Sequence, residues 1–366
     1  MKNGKPPRIC KGGAYSDSLS ITQNPLPVKE RKLIKGKIMK RFTFIFGLAL
    51  TFALLSLSAN AQFKKDVDED GNELPKGGCE LGENKTQYWE AGILVKAGDA
   101  PLKNAVGMVP IPVNWPEQKV KIAEERHSPY AKVNIKKQKG GSALMIVTIP
   151  NLPAGEEAEV VTRFECESFT QLKPENTSKF QKLTDKKELK KFLLYLGPSP
   201  KIEVKDKEIQ KLAKKIGKDA KNAWEEIEEV YDWVQANIRY ENGKLKGAVA
   251  ALKDGTGDCE ELSSLFIAIC RAKGIPARIV WVPEHCYAEF YLTDEDGQGF
   301  WFPCQPAGDK AFGEMPFQYI ILQKGDNFVT ADGEKVRYLP VKFTCKVVGK
   351  GGSGPSFREI MKVVQP

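Results

Sequence analysis

The chain has 366 residues, 28% of them charged and 41% hydrophobic, with a formal net charge of +9. Residues 1–61 hold eleven Lys or Arg against two Asp or Glu, so the remainder carries 45 of each sign and is neutral as a whole. That balance removes the electrostatic case for a nucleic acid or an anionic membrane as partner.

Residues 1–38 are Pro-rich and basic without periodicity and read as an upstream segment that forms no domain. From Met39 to Ala61 the chain has a charged start (Lys40, Arg41), an apolar run from Phe42 to Ser58 and the small-residue close Ala59-Asn60-Ala61. This is the layout of a secretory signal, and the apolar run is barely long enough for the competing reading, an uncleaved anchor. The expectation is an exported protein, periplasmic or secreted, cut after Ala61 and without a membrane span thereafter. Residues 62–84 read as an acidic flexible tether. Asp66 to Asn72 begins like a calcium loop, with a glycine at the sixth position, but Gly77 stands at the twelfth, where a bidentate glutamate belongs. No metal is expected, and no motif asks for a cofactor.

Residues 85–175 change character. Short alternating stretches, Gly92 to Val95, Ala105 to Val109, Lys119 to Ile122 and Ala143 to Ile149, are separated by Gly, Pro and Asn. That pattern predicts an all-β sandwich. His127, in Glu125-Arg126-His127-Ser128-Pro129, reads as a solvated turn residue.

Helical periodicity begins after Leu183, and residues 176–348 read as an α+β domain. Gly197-Pro198-Ser199-Pro200 leads into predicted helices over Lys207 to Lys214 and Ala220 to Asn237. A third helix runs from Cys259 to Lys273, with Leu262, Leu265, Phe266, Ile269 and Cys270 on one stripe, Gly274 as its cap and Pro276 barring continuation. Asp258 can cap its first turn, where free amides and the helix dipole favour a thiolate on Cys259. Asp258, Glu260 and Glu261 oppose that charge, so a base is needed. The chain has two histidines. His285 opens a strand with Cys286, Ala288, Phe290 and Leu292 on its apolar face; Thr293 to Gly297 is a turn and Phe300 to Gln305 the return strand. A hairpin centred on Glu295 pairs His285 with Gln305, which can orient the ring, and Cys286 with Cys304, a candidate disulfide in an exported protein. Cys270 reads as a free core thiol, while Cys79, Cys166 and Cys345 cannot be paired. Residues 349–366 read as a tail.

Three motifs carry a resemblance. Gly257-Asp258-Cys259-Glu260-Glu261 with Leu265 to Arg278, His285 with its strand, and Tyr231-Asp232-Trp233 through Tyr240 together resemble the transglutaminase-like superfamily, a group of papain-related thiol enzymes, over about residues 200–345. The resemblance implies a helix carrying cysteine packed on an antiparallel sheet. Val109-Pro110-Ile111-Pro112-Val113 and Pro153-Ala154-Gly155-Glu156 resemble the sandwich that often precedes this domain in bacterial members. It implies Cys259 as nucleophile, His285 as base and a third residue in a Trp-x-Pro-x-Asp-Pro context. The matching run is Trp301-Phe302-Pro303-Cys304-Gln305-Pro306, so Gln305 stands where the family has a carboxylate. A glutamine can still accept from the imidazole N–H, though it stabilises imidazolium less. Tyr240 is a candidate hydroxyl donor to an oxyanion, beside the Cys259 amide. The implied activity is acyl transfer at an amide, by hydrolysis or transamidation of a protein or peptide. The alternative is a domain without catalysis that binds or scaffolds a protein partner.

Overall fold

The computed structural model describes residues 76–330, 332–349 and 352–365. The upstream segment, the signal-like stretch and the calcium-loop-like Asp66 to Asn72 lie outside the described residues.

Seven strands come first: β1 (Lys76–Gly77), β2 (Glu80–Lys96), β3 (Leu102–Ile111), β4 (Gln118–His127), β5 (Lys132–Lys137), β6 (Ala143–Leu152) and β7 (Glu157–Leu172). Helices α1 (Lys186–Lys191), α2 (Lys207–Lys215) and α3 (Ala223–Asn237) follow, then β8 (Arg239–Tyr240), α4 (Ala248–Asp254), β9 (Thr256–Gly257) and α5 (Cys259–Ala272). The rest is strand: β10 (Ala277–Val282), β11 (His285–Thr293), β12 (Gly299–Cys304), β13 (Gln323–Lys324), β14 (Phe328–Val329), β15 (Lys335–Val336), β16 (Lys342–Val347) and β17 (Ser356–Val364). The fold is α+β, with an all-β region ahead of a helix-on-sheet unit.

Two four-stranded sheets, β17-β2-β7-β4 and β16-β3-β6-β5, form the all-β region. They face each other closely. A β-carbon at Gly107 of β3 would lie 2.3 Å from Ile93 Cδ1 of β2, and Thr162 Oγ1 of β7 meets Met145 Sδ of β6 at 3.4 Å. Two expectations are corrected here. Residues 349–366 are not a tail: β17 pairs with β2 from Ser356↔Lys96 to Val364↔Tyr88. β16, assigned by sequence to the second domain, pairs with β3. Both are edge strands with little burial, so their two-residue period is faint, and their partners lie more than 230 residues earlier. The tether is shorter than expected, because Lys76–Gly77 pairs with β12 and β2 already begins at Glu80. Residues 80–86 are almost all exposed, which hid the strand from a reading based on alternation. His127 closes β4 rather than a turn.

The second unit is organised by α5, which packs on β10 and β11 of the sheet β1-β12-β11-β10-β13 and against α2, α3 and α4. The sequence dictates each helix end. Asn222 accepts from the Glu225 N–H at 2.9 Å to start α3, and Asp206 caps α2 in the same way. Gly274, at φ +77°, stops α5 as the Ile275 N–H turns back to the Cys270 carbonyl at 2.9 Å. Between helix and sheet lie Trp224, Phe266, Phe290, Phe302 and Phe312, with Trp224 edge-on to Phe302 at 5.1 Å.

The hairpin register differs from the expected one. Ala288 pairs with Cys304 and Phe290 with Phe302, so the hairpin is centred on Asp296. Asp294 Oδ1 accepts from the N–H groups of Asp296 and Gln298, and the Asp294 N–H donates to the Gln298 carbonyl at 2.8 Å, which lengthens the turn at one end. A slip of two residues leaves every side chain on its expected face but changes its partner. Cys286 therefore lies opposite Trp281 of β10 and not opposite Cys304, and all seven described cysteines are free. The expected Cys286–Cys304 disulfide is withdrawn. Among the described residues no helix is long and apolar enough to cross a membrane.

Candidate active site

Cys259 occupies the first position of α5. The Asp258 carboxylate accepts from the Glu260 N–H at 2.8 Å, and the Glu261 carboxylate reaches back to the Asp258 N–H at 3.2 Å, completing a capping box. The strand β11 starts beside this helix end, so His285 and Cys286 both arrive at Cys259. His285 and the Cys286 thiol and backbone N–H all favour charge on the Cys259 sulfur, and the Cys286 thiol also lies 4.0 Å from Ser263 Oγ. On its far side the His285 Nε2 lies 3.0 Å from Gln305 Oε1. An oxygen only accepts, so Nε2 carries the proton and Nδ1 is left for the sulfur.

The electrostatics follow from these contacts. The Cys259 thiol is pulled down to about 4, first by the hydrogen bond from Cys286, against burial, and further by the hydrogen bond and charge of His285. Cys259 is only 5% exposed, so burial alone would have raised it. For His285 burial works against the charged ring, but the hydrogen bond and charge of Cys259 outweigh it, with Gln305 adding to them, and its pKa rises above 6.5. Cys286 itself is raised well above the usual thiol range by burial and by its neighbour, so it stays a donor. Burial also raises Cys79, Cys166, Cys270, Cys304 and Cys345. Cys259 is thus the one acidic thiol among the described residues.

The three acids around the nucleophile oppose it less than their number suggests. Glu261 turns away to accept from the N–H groups of Lys246 at 2.8 Å and Gly247 at 3.3 Å. Glu260 pairs with Arg337 at 3.1 Å. Asp258 is pushed up to about 7 by burial, by its hydrogen bond to Glu261 and by the Cys259 charge, so it is only partly ionised at neutral pH.

Residues 210–306 match the family model of the Transglutaminase-like superfamily. The chain carries a transglutaminase-like domain. Among solved structures, a putative cysteine protease from Cytophaga hutchinsonii aligns over 76% of this chain and 99% of its own, at 15% identity and a TM-score of 0.49. A putative protease from Parabacteroides distasonis aligns over 61% of this chain and 47% of its own, at 14% identity and a TM-score of 0.24. No curated protein matches the chain.

The transglutaminase-like domain thus brings Cys259, His285 and Gln305 together, and Cys286 joins them in a different part from the one expected of it. Cys304 stays apart, buried on β12. Tyr240 of β8 pairs in parallel with Gly257 of β9, just ahead of the nucleophile, but its side chain is 40% exposed and its hydroxyl donates to Asn242 Oδ1 at 3.2 Å. No group of three or more His, Cys, Asp or Glu among the described residues could hold a metal ion.

Two contributors escaped the sequence reading. Cys286 was legible only as an apolar-face cysteine, since its contact with Cys259 depends on where β11 begins relative to α5. Tyr319, whose hydroxyl donates to Gln305 Oε1 at 3.3 Å, lies in a segment without regular structure, where no spacing rule applies. A test of Cys286 is direct. Cys286→Ala removes the donor to the thiolate and is expected to move the ionisation midpoint of Cys259 upward by about one to two pH units, read from the pH dependence of its alkylation.

Proposed function

We propose that the protein is a thiol enzyme of acyl transfer, acting on the amide bonds of a protein or peptide by hydrolysis or transamidation. The observation that carries this reading is an acidic thiol at the start of α5 in contact with His285, whose far nitrogen meets Gln305. In the reaction the Cys259 thiolate attacks the carboxamide carbon, and the π electrons move onto oxygen. The first-turn amide of α5 has no intrahelical partner and can donate to that oxyanion; Tyr240 can join it by leaving Asn242. His285, charged at this point, gives its proton to the departing amine, and the oxyanion collapses to a thioester. Water or a second amine then attacks the thioester carbon and loses its proton to the neutral ring. Cys259 leaves as thiolate, and Gln305 holds the ring in place throughout.

The signal-like layout of residues 39–61 supports action outside the cytoplasm. The test of the chemistry is mass-spectrometric detection of an acyl adduct. Wild-type protein incubated with a panel of amides and activated esters should gain the acyl mass on the peptide containing Cys259, and Cys259→Ala should gain none. Equal labelling of the two proteins, or none with any ester, would remove the reading.

A further inference from the structure

Gln305 presents a problem that an aspartate would not. A carboxylate offers an acceptor at either end, whereas an amide turned by 180° offers its NH₂ group to a ring N–H and repels it. We propose that Tyr319 is a positioning residue whose hydroxyl holds the Gln305 amide with its oxygen towards His285. This rests on the reading of Cys259 and His285 as a catalytic pair.

The geometry at Gln305 is closed from all sides. Its Nε2 donates to the Asp309 carbonyl at 3.0 Å, and its Oε1 takes the Tyr319 hydroxyl at 3.3 Å alongside His285 Nε2 at 3.0 Å. The backbone N–H donates to the Ala311 carbonyl at 2.8 Å, and Gln305 is 3% exposed. A flipped amide would leave the Asp309 carbonyl without its donor and would turn NH₂ onto two donors at once, which the buried setting makes costly. Burial pushes Tyr319 up to about 12, so its hydroxyl keeps its proton and remains a donor at every working pH.

The Tyr319 ring is itself placed from two sides. It lies 5.9 Å from the His285 ring and 6.1 Å from that of Tyr287. Its segment is fastened to the all-β region: the Gln118 side chain accepts from the Ile321 N–H at 2.6 Å and donates to the Ile321 carbonyl at 3.0 Å, and Gln87 donates to the Gln318 carbonyl at 2.7 Å. The β-sandwich therefore reaches the catalytic pair through Tyr319 and Gln305. The ionisable groups that act on the ring are Cys259 and Asp258 from α5; Cys259 and Asp309 also act on the Tyr319 hydroxyl, which stays neutral, so Tyr319→Phe removes no charge.

With two histidines in the chain, ring-labelled histidine makes the His285 pKa readable by NMR titration without any substrate. Tyr319→Phe keeps the ring and removes the hydroxyl. It is expected to lower the His285 pKa by about half a pH unit, because part of the amide population turns away from the imidazolium. In Gln305→Asp the same change should leave the His285 pKa where it is, since a carboxylate has no wrong orientation. A Tyr319→Phe titration superimposed on wild type, or an equal fall in both backgrounds, overturns the proposal while leaving the Cys-His pair intact. A wild-type His285 that does not respond to Cys259→Ala overturns both.

Discussion

His285→Ala is expected to raise the ionisation midpoint of Cys259 from about 4 by roughly two pH units. It should also lower turnover of any amide that the wild type accepts by about 10²- to 10⁴-fold. The first effect comes from removing a cation and a hydrogen-bond donor from a nearly buried sulfur, leaving the Cys286 thiol and backbone N–H and the start of α5 to hold the charge. The second comes from losing the proton that the leaving amine needs. Titration sets the window: activity rises as pH climbs through the Cys259 value and falls as pH passes the raised His285 value, above which the ring is neutral and no proton is available. In His285→Ala the lower limb moves up and the upper limb disappears. The midpoint is a better readout than a single alkylation rate, because a thiolate of low pKa is also a weaker nucleophile, and the two effects partly cancel. Stopped-flow alkylation across pH 3 to 10 gives the midpoint, and turnover on a substrate found by adduct screening gives the rest.

Lys324→Met is expected to destabilise the protein by about 3–5 kcal/mol. Lys324 of β13 is fully enclosed between Glu289 of β11 and Glu117, which leads into β4, and Arg278 of β10 pairs with the other oxygen of Glu289 at 2.7 Å. Two acids and two bases are thus buried in balance, and the guanidinium of Arg278 lies 4.0 Å over the Trp301 ring. Removing Lys324 leaves one buried negative charge without compensation. Burial works against the Glu289 carboxylate, yet Arg278 and then Lys324 hold its pKa below the usual range. A carboxyl depressed in the folded state contributes stability above its ordinary pKa and loses it as pH falls through its folded value. The Lys324→Met variant loses part of that opposition, so its deficit relative to wild type should be largest at pH 7 and shrink as pH falls, because protonating the uncompensated carboxyl removes the buried charge. Urea denaturation at pH 7 and pH 5 checks both statements, and Lys324→Met with Glu117→Gln should recover part of the loss. Unchanged stability in the single variant would mean that these four charges are solvated in solution.

The elements legible in the sequence were those whose signals are local. Asp258 and Glu261 announce the start of α5, Gly274 and Pro276 its end, and the stripe from Leu262 to Cys270 its buried face. His285 and Gln305 could be matched because they sit at fixed places in a hairpin, and a register error of two residues did not separate them. The errors were non-local. β16 and β17 return to strands that the chain left long before, and as exposed edges they carry almost no apolar alternation. Cys286 follows the face rule correctly, but that face meets α5 and Cys259, and the disulfide assignment depended on the turn at Asp294. The four buried charges come from separate segments, each of which reads singly as a surface residue. Tyr319 depends on a loop held by Gln118, from another part of the chain.

The central claim is that Cys259 is an activated thiolate. The most direct measurement is limited alkylation of the native, non-reduced protein over a pH series, with peptide mapping of every cysteine. Modification of Cys259 should rise through a midpoint near 4 and be complete at pH 6, while Cys270, Cys286 and Cys304 stay unmodified. A Cys259 midpoint at the ordinary thiol value of about 8.5, or modification of Cys259 no greater than that of Cys270, would contradict the account.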